Sequence, residues 1–146
     1  MKKILFYLFF SVLFLVSGLS LAAQSEKKPE LLTKETFKQK VWDYEANPNE
    51  MKYLGDKPCM IDFYADWCGW CRKIAPLLVE LCNTYDGEIY VYKIDTDKQK
   101  ELQALFQVKG LPTILYVPMK GKPALIPGAA SKEQFNQYIQ QYLLVK

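Results

Sequence analysis

The sequence lacks histidine entirely, since none of its 146 residues is one. This absence excludes a Ser-His-Asp triad, a Cys-His nucleophile pair, a histidine-containing zinc site and a HExxH protease. The sequence also lacks a large charge of one sign. Of its 19 basic residues, Lys2 and Lys3 lie in the leader described below, which leaves 17 against 16 acidic residues. Because nucleic-acid binding needs a clustered basic face, we expect no nucleic-acid partner.

The length of the chain predicts a single domain, at ~150 residues per domain. About 123 residues remain after the leader, and a domain of that size buries roughly two-thirds of its unfolded surface. Such a core needs no disulfide scaffold, so the four cysteines need not serve as one.

Residues 1–23 have the pattern of a secretory signal peptide. Two lysines precede an apolar run over 4–16 that only Ser11 interrupts, and the small residues Ser20, Ala22 and Ala23 surround Leu21. The alternative is an uncleaved anchor, because 4–23 approaches the ~20 residues that span a bilayer. Either way the lysines stay in the cytoplasm. We therefore expect an exported protein of a bacterial periplasm, where disulfides persist.

The remaining chain divides into a polar tether, 24–31, and a domain, 32–146. Its apolar periodicity predicts an alternation of helices and strands. A short helical turn is also expected around 50–54, between the prolines of the 43–58 segment. The order indicates an α/β domain with parallel central strands and a final antiparallel hairpin. The expected helices begin near Thr33, Gly69, Lys98 and Ser131, and the expected strands are 60–64, 89–94, 113–117 and 124–126.

The strongest chemical motif is Cys68-Gly69-Trp70-Cys71, between a predicted buried strand and a helix. A helix N-terminus presents unpaired N–H groups and a partial positive charge, which stabilise a thiolate. Cys68 is therefore expected to be the exposed nucleophile. Cys71, one helical turn later, is expected to be the partly buried thiol that resolves a mixed disulfide.

Two other roles for this motif are an inert disulfide and half of a zinc site. A zinc site would need Cys59 and Cys82 as further ligands, but the spacing contains only one CxxC element. We therefore predict no metal and no cofactor. A regular strand would point Cys59 away from the helix that carries Cys82, so these two thiols are expected to be unpaired.

The motif and its surroundings resemble the thioredoxin family. The segment DFYADWCGWC at 62–71 is similar to the family's active-site segment, and GLPT at 110–113 resembles its cis-proline loop. The similarity runs from about Leu32 to Leu144. It implies a thioredoxin fold, with a central mixed sheet of four to five strands flanked by helices in a single domain.

The resemblance also implies roles for individual residues. Asp62 resembles the buried acid that helps to take the proton from Cys71, and burial should raise its pKa. Lys93 resembles the lysine that pairs with this acid, although its amine could instead reach solvent. Leu111 and Pro112 resemble the loop that docks extended substrates. The remaining substrate-binding candidates are Trp67, Gly69 and Trp70.

Two departures from the family pattern lie in the same segment. Trp70 stands where thioredoxins proper carry proline, and Tyr64 stands where many carry tryptophan. Because the residues between the cysteines influence the reduction potential in this family, Trp70 leaves the direction of the reaction open. The 43–58 connection is longer than the usual one.

The sequence thus predicts an extracytoplasmic thiol–disulfide oxidoreductase that reduces protein disulfides. Its expected partners are disulfide-bearing or dithiol proteins and a membrane-embedded thiol electron donor, and we expect a monomer. One alternative is oxidation or isomerisation of secreted proteins. The other is a redox-inactive module that binds extended chains through the Pro112 loop.

Overall fold

A computed structural model describes residues 26–145 as a five-stranded mixed sheet with helices on both faces. The predicted leader, 1–23, and the start of the predicted tether lie outside these residues. Within 26–145, no helix combines the length and apolar character that crossing a bilayer requires. The strands are β1 (Glu30–Leu31), β2 (Cys59–Tyr64), β3 (Tyr90–Asp95), β4 (Thr113–Val117) and β5 (Ala124–Pro127). The helices are α1 (Lys34–Lys40), α2 (Gly69–Thr84), α3 (Lys100–Leu105) and α4 (Lys132–Tyr138), followed by a π-helical turn, Ile139–Leu143.

The sheet has the order β1-β3-β2-β4-β5, with β2 at its centre. β2 pairs in parallel with β3 and antiparallel with β4, and β4 and β5 form the predicted antiparallel hairpin. The β1 and β3 strands are also parallel. This arrangement confirms the thioredoxin fold that the resemblance implied.

The central strand β2 is buried on both faces because alternate side chains enter two separate cores. Cys59, Ile61 and Phe63 join the core that includes residues of α1 and α3. Met60 joins the other core, with residues of α2, α4 and the π-helical turn. Asp62 shares the Met60 face of the strand, so its carboxyl group points toward the layer that contains α2.

The first strand departs from the predicted organisation. Residues 24–31 were expected to form a tether, but Glu30 and Leu31 pair with Tyr92 and Lys93 at the outer edge of β3. The sequence could not indicate this strand, because two residues are too few to show the alternation of apolar and polar side chains. The folded unit therefore begins before Leu32, the first residue of the predicted domain.

The 43–58 segment packs on the core but forms no helical turn at 50–54. The turn lies earlier, where the backbone N–H of Asn47 donates to the Asp43 carbonyl over 3.0 Å. Three side chains from the segment, Tyr44, Met51 and Tyr53, pack against the core that contains Phe63. The burial of these scattered apolar residues explains the irregular path, since they follow neither a helical nor a strand period.

Side-chain caps set the starts of two helices, as the sequence predicted. Thr33 caps α1 and Ser131 caps α4, and each forms a reciprocal capping box with the residue three positions later. The last helix continues beyond Tyr138 as a π-helical turn, which the periodicity of the sequence did not indicate.

Candidate active site

The Cys68–Cys71 pair lies where β2 ends and α2 begins. Cys68 is the N-cap residue of α2, and its backbone N–H donates to the Ala65 carbonyl over 3.1 Å. Arg72 stabilises the same turn, because its guanidinium donates a hydrogen bond to the Asp66 carbonyl over 2.8 Å. These bonds hold the sulfur of Cys68 against the positive end of a sixteen-residue helix.

The two cysteines form a disulfide, with their Cα atoms 5.3 Å apart. The backbone N–H of Cys71 donates to the Sγ atom of Cys68 over 3.1 Å. We had expected an exposed Cys68 and a more buried Cys71, but in this oxidised form their exposed fractions are 5% and 4%. Both cysteines are buried to nearly the same extent when their sulfurs are bonded, so the predicted difference in exposure is not present in the disulfide form.

Asp62 is buried beneath this helix in the centre of the sheet. Its exposed fraction is 1%, and its Oδ1 atom has no hydrogen-bond partner among the described residues. Burial raises the pKa of Asp62 from 3.8 to about 7, and the charge of Lys93 opposes the increase. The carboxyl group therefore exchanges its proton near neutral pH, as a general acid–base group must.

Lys93 lies opposite Asp62 in the β2–β3 register. Among residues 26–145 it forms no ion pair within 4.0 Å, and its Nζ atom lies 3.8 Å from the centroid of the Tyr64 ring. The predicted pairing with Asp62 is therefore present as proximity and charge, without a salt bridge.

The tryptophans Trp67 and Trp70 form an exposed aromatic rim beside the disulfide, with exposed fractions of 69% and 61%. The indole N–H of Trp67 donates to the Asp97 carboxylate over 2.8 Å. The Nζ atom of Lys73 lies 4.1 Å from the centroid of the Trp70 ring. Gly69, the first residue of α2, is also exposed.

Sequence reasoning missed both partners of these tryptophans. Lys73 follows Trp70 by three residues, so helical spacing could have revealed their contact. Asp97 is thirty residues from Trp67 in sequence, and no local pattern could have paired them.

The Leu111–Pro112 loop lies at the same edge of the sheet as Cys68, because Thr113 pairs with Phe63 near the end of β2. The Leu111–Pro112 peptide bond is cis. The carbonyl of Pro112 accepts a hydrogen bond over 2.8 Å from the backbone N–H of Gly128. Gly128 has a φ of 99°, a conformation in which glycine has no Cβ penalty.

The other two cysteines, Cys59 and Cys82, are free. They belong to the two cores on opposite faces of the sheet, as the alternation of β2 predicted. Burial raises the pKa of Cys59 to about 12 and that of Cys82 to about 11, so both remain protonated at neutral pH. In the described part of the chain, no group of three or more acidic, histidine or cysteine side chains could hold a metal ion.

The burial of Asp62 predicts a pH-dependent cost to stability. Folding raises the pKa of this carboxyl, so the folded protein retains a proton that the unfolded chain releases between about pH 4 and pH 7. The loss of stability caused by the buried Asp62 charge is nearly absent below this pH range and fully present above it. We therefore expect Asp62→Asn, which is uncharged at every pH, to be more stable than the wild type by up to about 4 kcal/mol at pH 8.

Guanidinium unfolding of both oxidised proteins at pH 4 and pH 8 measures this difference. The advantage of the variant should fall below about 1 kcal/mol at pH 4, where the folded carboxyl is protonated and the unfolded one is only about half ionised. An advantage of the same size at both pH values would show that the buried charge is not its cause.

Comparisons with known proteins agree with this geometry. The family model described as Thioredoxin matches residues 28–141. A thioredoxin from Borreliella burgdorferi is 40% identical over 111 residues, 76% of this chain and 94% of that protein. Thioredoxin 1 from a Nostoc species is 31% identical over 112 residues, 77% and 94% of the two chains. The crystal structure of chloroplastic thioredoxin z superimposes with a TM-score of 0.66, at 25% identity, over 80% of this chain and 95% of that one. The chain belongs to the thioredoxin family and is a thiol–disulfide oxidoreductase that acts on protein disulfides.

Proposed function

We propose that this protein is an exported reductase of protein disulfides, with Cys68 as nucleophile and Cys71 as resolving thiol. The observation that carries the proposal is the Cys68–Cys71 disulfide at the N-terminus of α2, above the buried carboxyl of Asp62. A thiol pair, a helix terminus that favours a thiolate and a carboxyl group that titrates near neutrality are together what a dithiol exchange needs.

The first step is attack by the Cys68 thiolate on one sulfur of a substrate disulfide. An S–S bond forms between Cys68 and the substrate, the substrate disulfide breaks, and its other sulfur leaves as a thiolate. The Cys71 N–H, which donates to the Cys68 sulfur in the disulfide form, lies where it can also stabilise the anionic sulfur before attack.

The second step is attack by Cys71 on the sulfur of Cys68. The ionised carboxylate of Asp62 takes the proton of the Cys71 thiol, and the new bond expels the second substrate sulfur as a thiolate, which protonates in solvent. The substrate gains two electrons and the protein regains its disulfide. Because burial raises the pKa of Asp62 to about 7, its carboxylate is a far stronger base than an exposed aspartate.

Substrate binding is assigned to the rim around this pair. The Leu111–Pro112 loop precedes the end of β4 that lies beside the last residues of β2, and its backbone is placed to pair with an incoming extended peptide. The exposed rings of Trp67 and Trp70 offer apolar surface on the cysteine side. A substrate in extended conformation would thus lie between the loop and the tryptophans.

Reduction is the favoured direction because little in the site stabilises the Cys68 thiolate beyond the helix terminus. Within residues 26–145 only one hydrogen bond reaches the Cys68 sulfur, from the Cys71 N–H. The nearby Lys73 lies over the Trp70 ring, and Arg72 is bonded to the Asp66 carbonyl. Strong oxidants of this chemistry depend on a strongly stabilised reduced form.

The leader pattern of residues 1–23 supports export, and export in turn implies an electron donor in the membrane. A periplasm is kept oxidising, so a reductase there must be reduced again by electrons that cross the membrane. We therefore propose a membrane-embedded thiol donor, and a monomeric reductase that exchanges between donor and substrate through the same face.

Removal of either active-site sulfur should separate the two steps. In an insulin-reduction assay, Cys68→Ser should abolish turnover, because no nucleophile remains. Cys71→Ser should accumulate a mixed disulfide with the substrate, visible by mass spectrometry without reductant. Cys82→Ser is the matched control and should retain wild-type turnover, since this thiol lies outside the site. Unchanged turnover in Cys68→Ser would exclude the mechanism.

The reduction potential of the Cys68/Cys71 pair tests the direction. Equilibration against glutathione buffers should give a value near ~−270 mV, the value of thioredoxin itself. Such a value means that the disulfide is stable and that the dithiol reduces other proteins. A value between ~−120 and −180 mV would instead indicate oxidation or isomerisation of secreted proteins.

Export can be tested with the full chain fused through its C-terminus to alkaline phosphatase in a Gram-negative host. The fusion should be active, because that enzyme needs disulfides that form outside the cytoplasm. A matched fusion that starts at Gln24 should be inactive. N-terminal sequencing then distinguishes cleavage after Ala22 or Ala23 from a retained anchor, and an inactive full-length fusion would contradict export.

A further inference from the structure

Three side chains converge on one face of the sheet below the disulfide. Asp62 and Tyr64 are two residues apart on β2, so they point to the same face. Lys93 lies beside Asp62 on β3, and its ammonium nitrogen lies 3.8 Å from the centroid of the Tyr64 ring. The lysine thus lies within reach of two attractive groups, and in this structure it contacts the aromatic one.

We propose that Tyr64 is a positioning residue whose ring holds the Lys93 ammonium group away from the Asp62 carboxyl group. The proposal rests on the proton-accepting role given to Asp62 above, and it assigns a function to the residue that departs from the tryptophan of many family members. Tyr64 acts through Lys93 and Asp62 and touches neither sulfur nor substrate in this assignment.

The competition follows from simple electrostatics. The face of an aromatic ring attracts a cation whatever the state of Asp62, whereas a carboxyl group attracts it strongly only when ionised. While Asp62 is protonated, the ring is the better partner for Lys93. Ionisation of Asp62 must then draw the ammonium group off the ring, and the lost contact makes that ionisation less favourable.

The other groups around Asp62 leave Lys93 as the dominant charge. Asp62 lies opposite Ile114 on β4, which carries no charge. The one charge that shifts the pKa of Asp62 is that of Lys93. At the start of α2, Cys68 and Cys71 do not titrate while disulfide-bonded. The Asp62 Oδ1 atom has no partner within the described residues.

The charged side chains near Tyr64 either form an ion pair with each other or favour the neutral form of its hydroxyl group. Asp95, which lies beside Tyr64 in the register, pairs with Lys98 over 3.0 Å. Burial raises the pKa of the Tyr64 hydroxyl, and the charges of Asp95 and Asp66 raise it further, so the phenol stays protonated in the working range. Asp95 is therefore not free to replace the ring as the partner of Lys93.

The consequence for the reaction is a base of suitable strength. If Lys93 were free to pair with Asp62, the carboxylate would be stabilised and its pKa would fall. It would then be ionised at lower pH but would take the Cys71 proton less readily. The Tyr64 ring keeps the acid–base group near the pH at which both its forms are populated.

The test is the titration of the Asp62 carboxyl carbon by NMR in the oxidised protein, which needs no turnover. Tyr64→Leu removes the aromatic face, and its Asp62 midpoint should move down by roughly one pH unit or more. Tyr64→Phe is the matched control, because it retains the ring and loses only the hydroxyl. Its midpoint should remain at the wild-type value. An unchanged midpoint in Tyr64→Leu, or an equal shift in both variants, would overturn the proposal.

The same substitution in a variant without Lys93 distinguishes a positioning role of Tyr64 from a purely structural one. In Lys93→Met, addition of Tyr64→Leu should leave the Asp62 midpoint where Lys93→Met alone places it, because no ammonium group remains to be released. A purely structural effect of Tyr64→Leu would move the midpoint equally with and without the lysine, and that result would refute the assignment.

A measurement on the wild-type protein applies even if Tyr64→Leu does not fold. The ε-methylene protons of Lys93 should resonate upfield of their random-coil position, because they lie over the ring face, and the displacement should be retained in Tyr64→Phe. Unshifted protons would contradict the contact. These outcomes do not depend on the insulin assay, so loss of the proposed function and loss of this inference give different results.

Discussion

Asp62 occupies the middle strand of the sheet, where an ionisable side chain is costly and where an apolar residue would pack without penalty. Its burial follows from position alone, since β2 is covered by β3 and β4 at its edges and by helices on both faces. The cost of charge in that place raises the pKa of the carboxyl group to about 7. The proposed acid–base role of Asp62 therefore depends on how well the surrounding core excludes water, and apolar neighbours such as Ile114, which lies opposite Asp62 on β4, contribute by keeping the strand covered.

A second feature is that the disulfide, the buried acid and the Leu111–Pro112 loop proposed to bind substrate share one edge of the sheet. Cys68 follows shortly after the end of β2. The antiparallel strand β4 begins beside that same end, immediately after Pro112. The order of strands thus joins residues that lie about forty positions apart in sequence. The hydrogen bond from the Gly128 N–H to the Pro112 carbonyl connects the loop to the end of β5. Three strands thus support the edge to which we assign substrate binding, although that edge contains little regular structure of its own.

Much of this arrangement was predictable because its signals are local or periodic. The CxxC motif at a strand–helix junction, the buried strand around Asp62, the capping residues Thr33 and Ser131, and the separate placement of Cys59 and Cys82 all follow from spacing. The missed features depend on tertiary contacts. The strand β1 is stabilised by its neighbour, and the 43–58 segment follows the packing of scattered apolar side chains. The Trp67–Asp97 and Lys93–Tyr64 contacts join residues that are far apart in sequence. The expected exposure of Cys68 is not found in the disulfide form, in which both active-site cysteines are buried.

The distribution of the four cysteines has a further consequence for how the chain matures. Four thiols can be joined into two disulfides in three ways, and an unfolded chain in an oxidising environment could form any of them. Once the sheet is complete, Cys59 and Cys82 lie on opposite sides of it and neither is adjacent to the Cys68–Cys71 pair in the strand or helix that carries it. The completed sheet prevents a bond between Cys59 and Cys82, and about three helical turns separate Cys82 from Cys71 on the same helix. Correct oxidation thus depends on the order of events, and a chain that folds before it is oxidised needs no later proofreading of its disulfides.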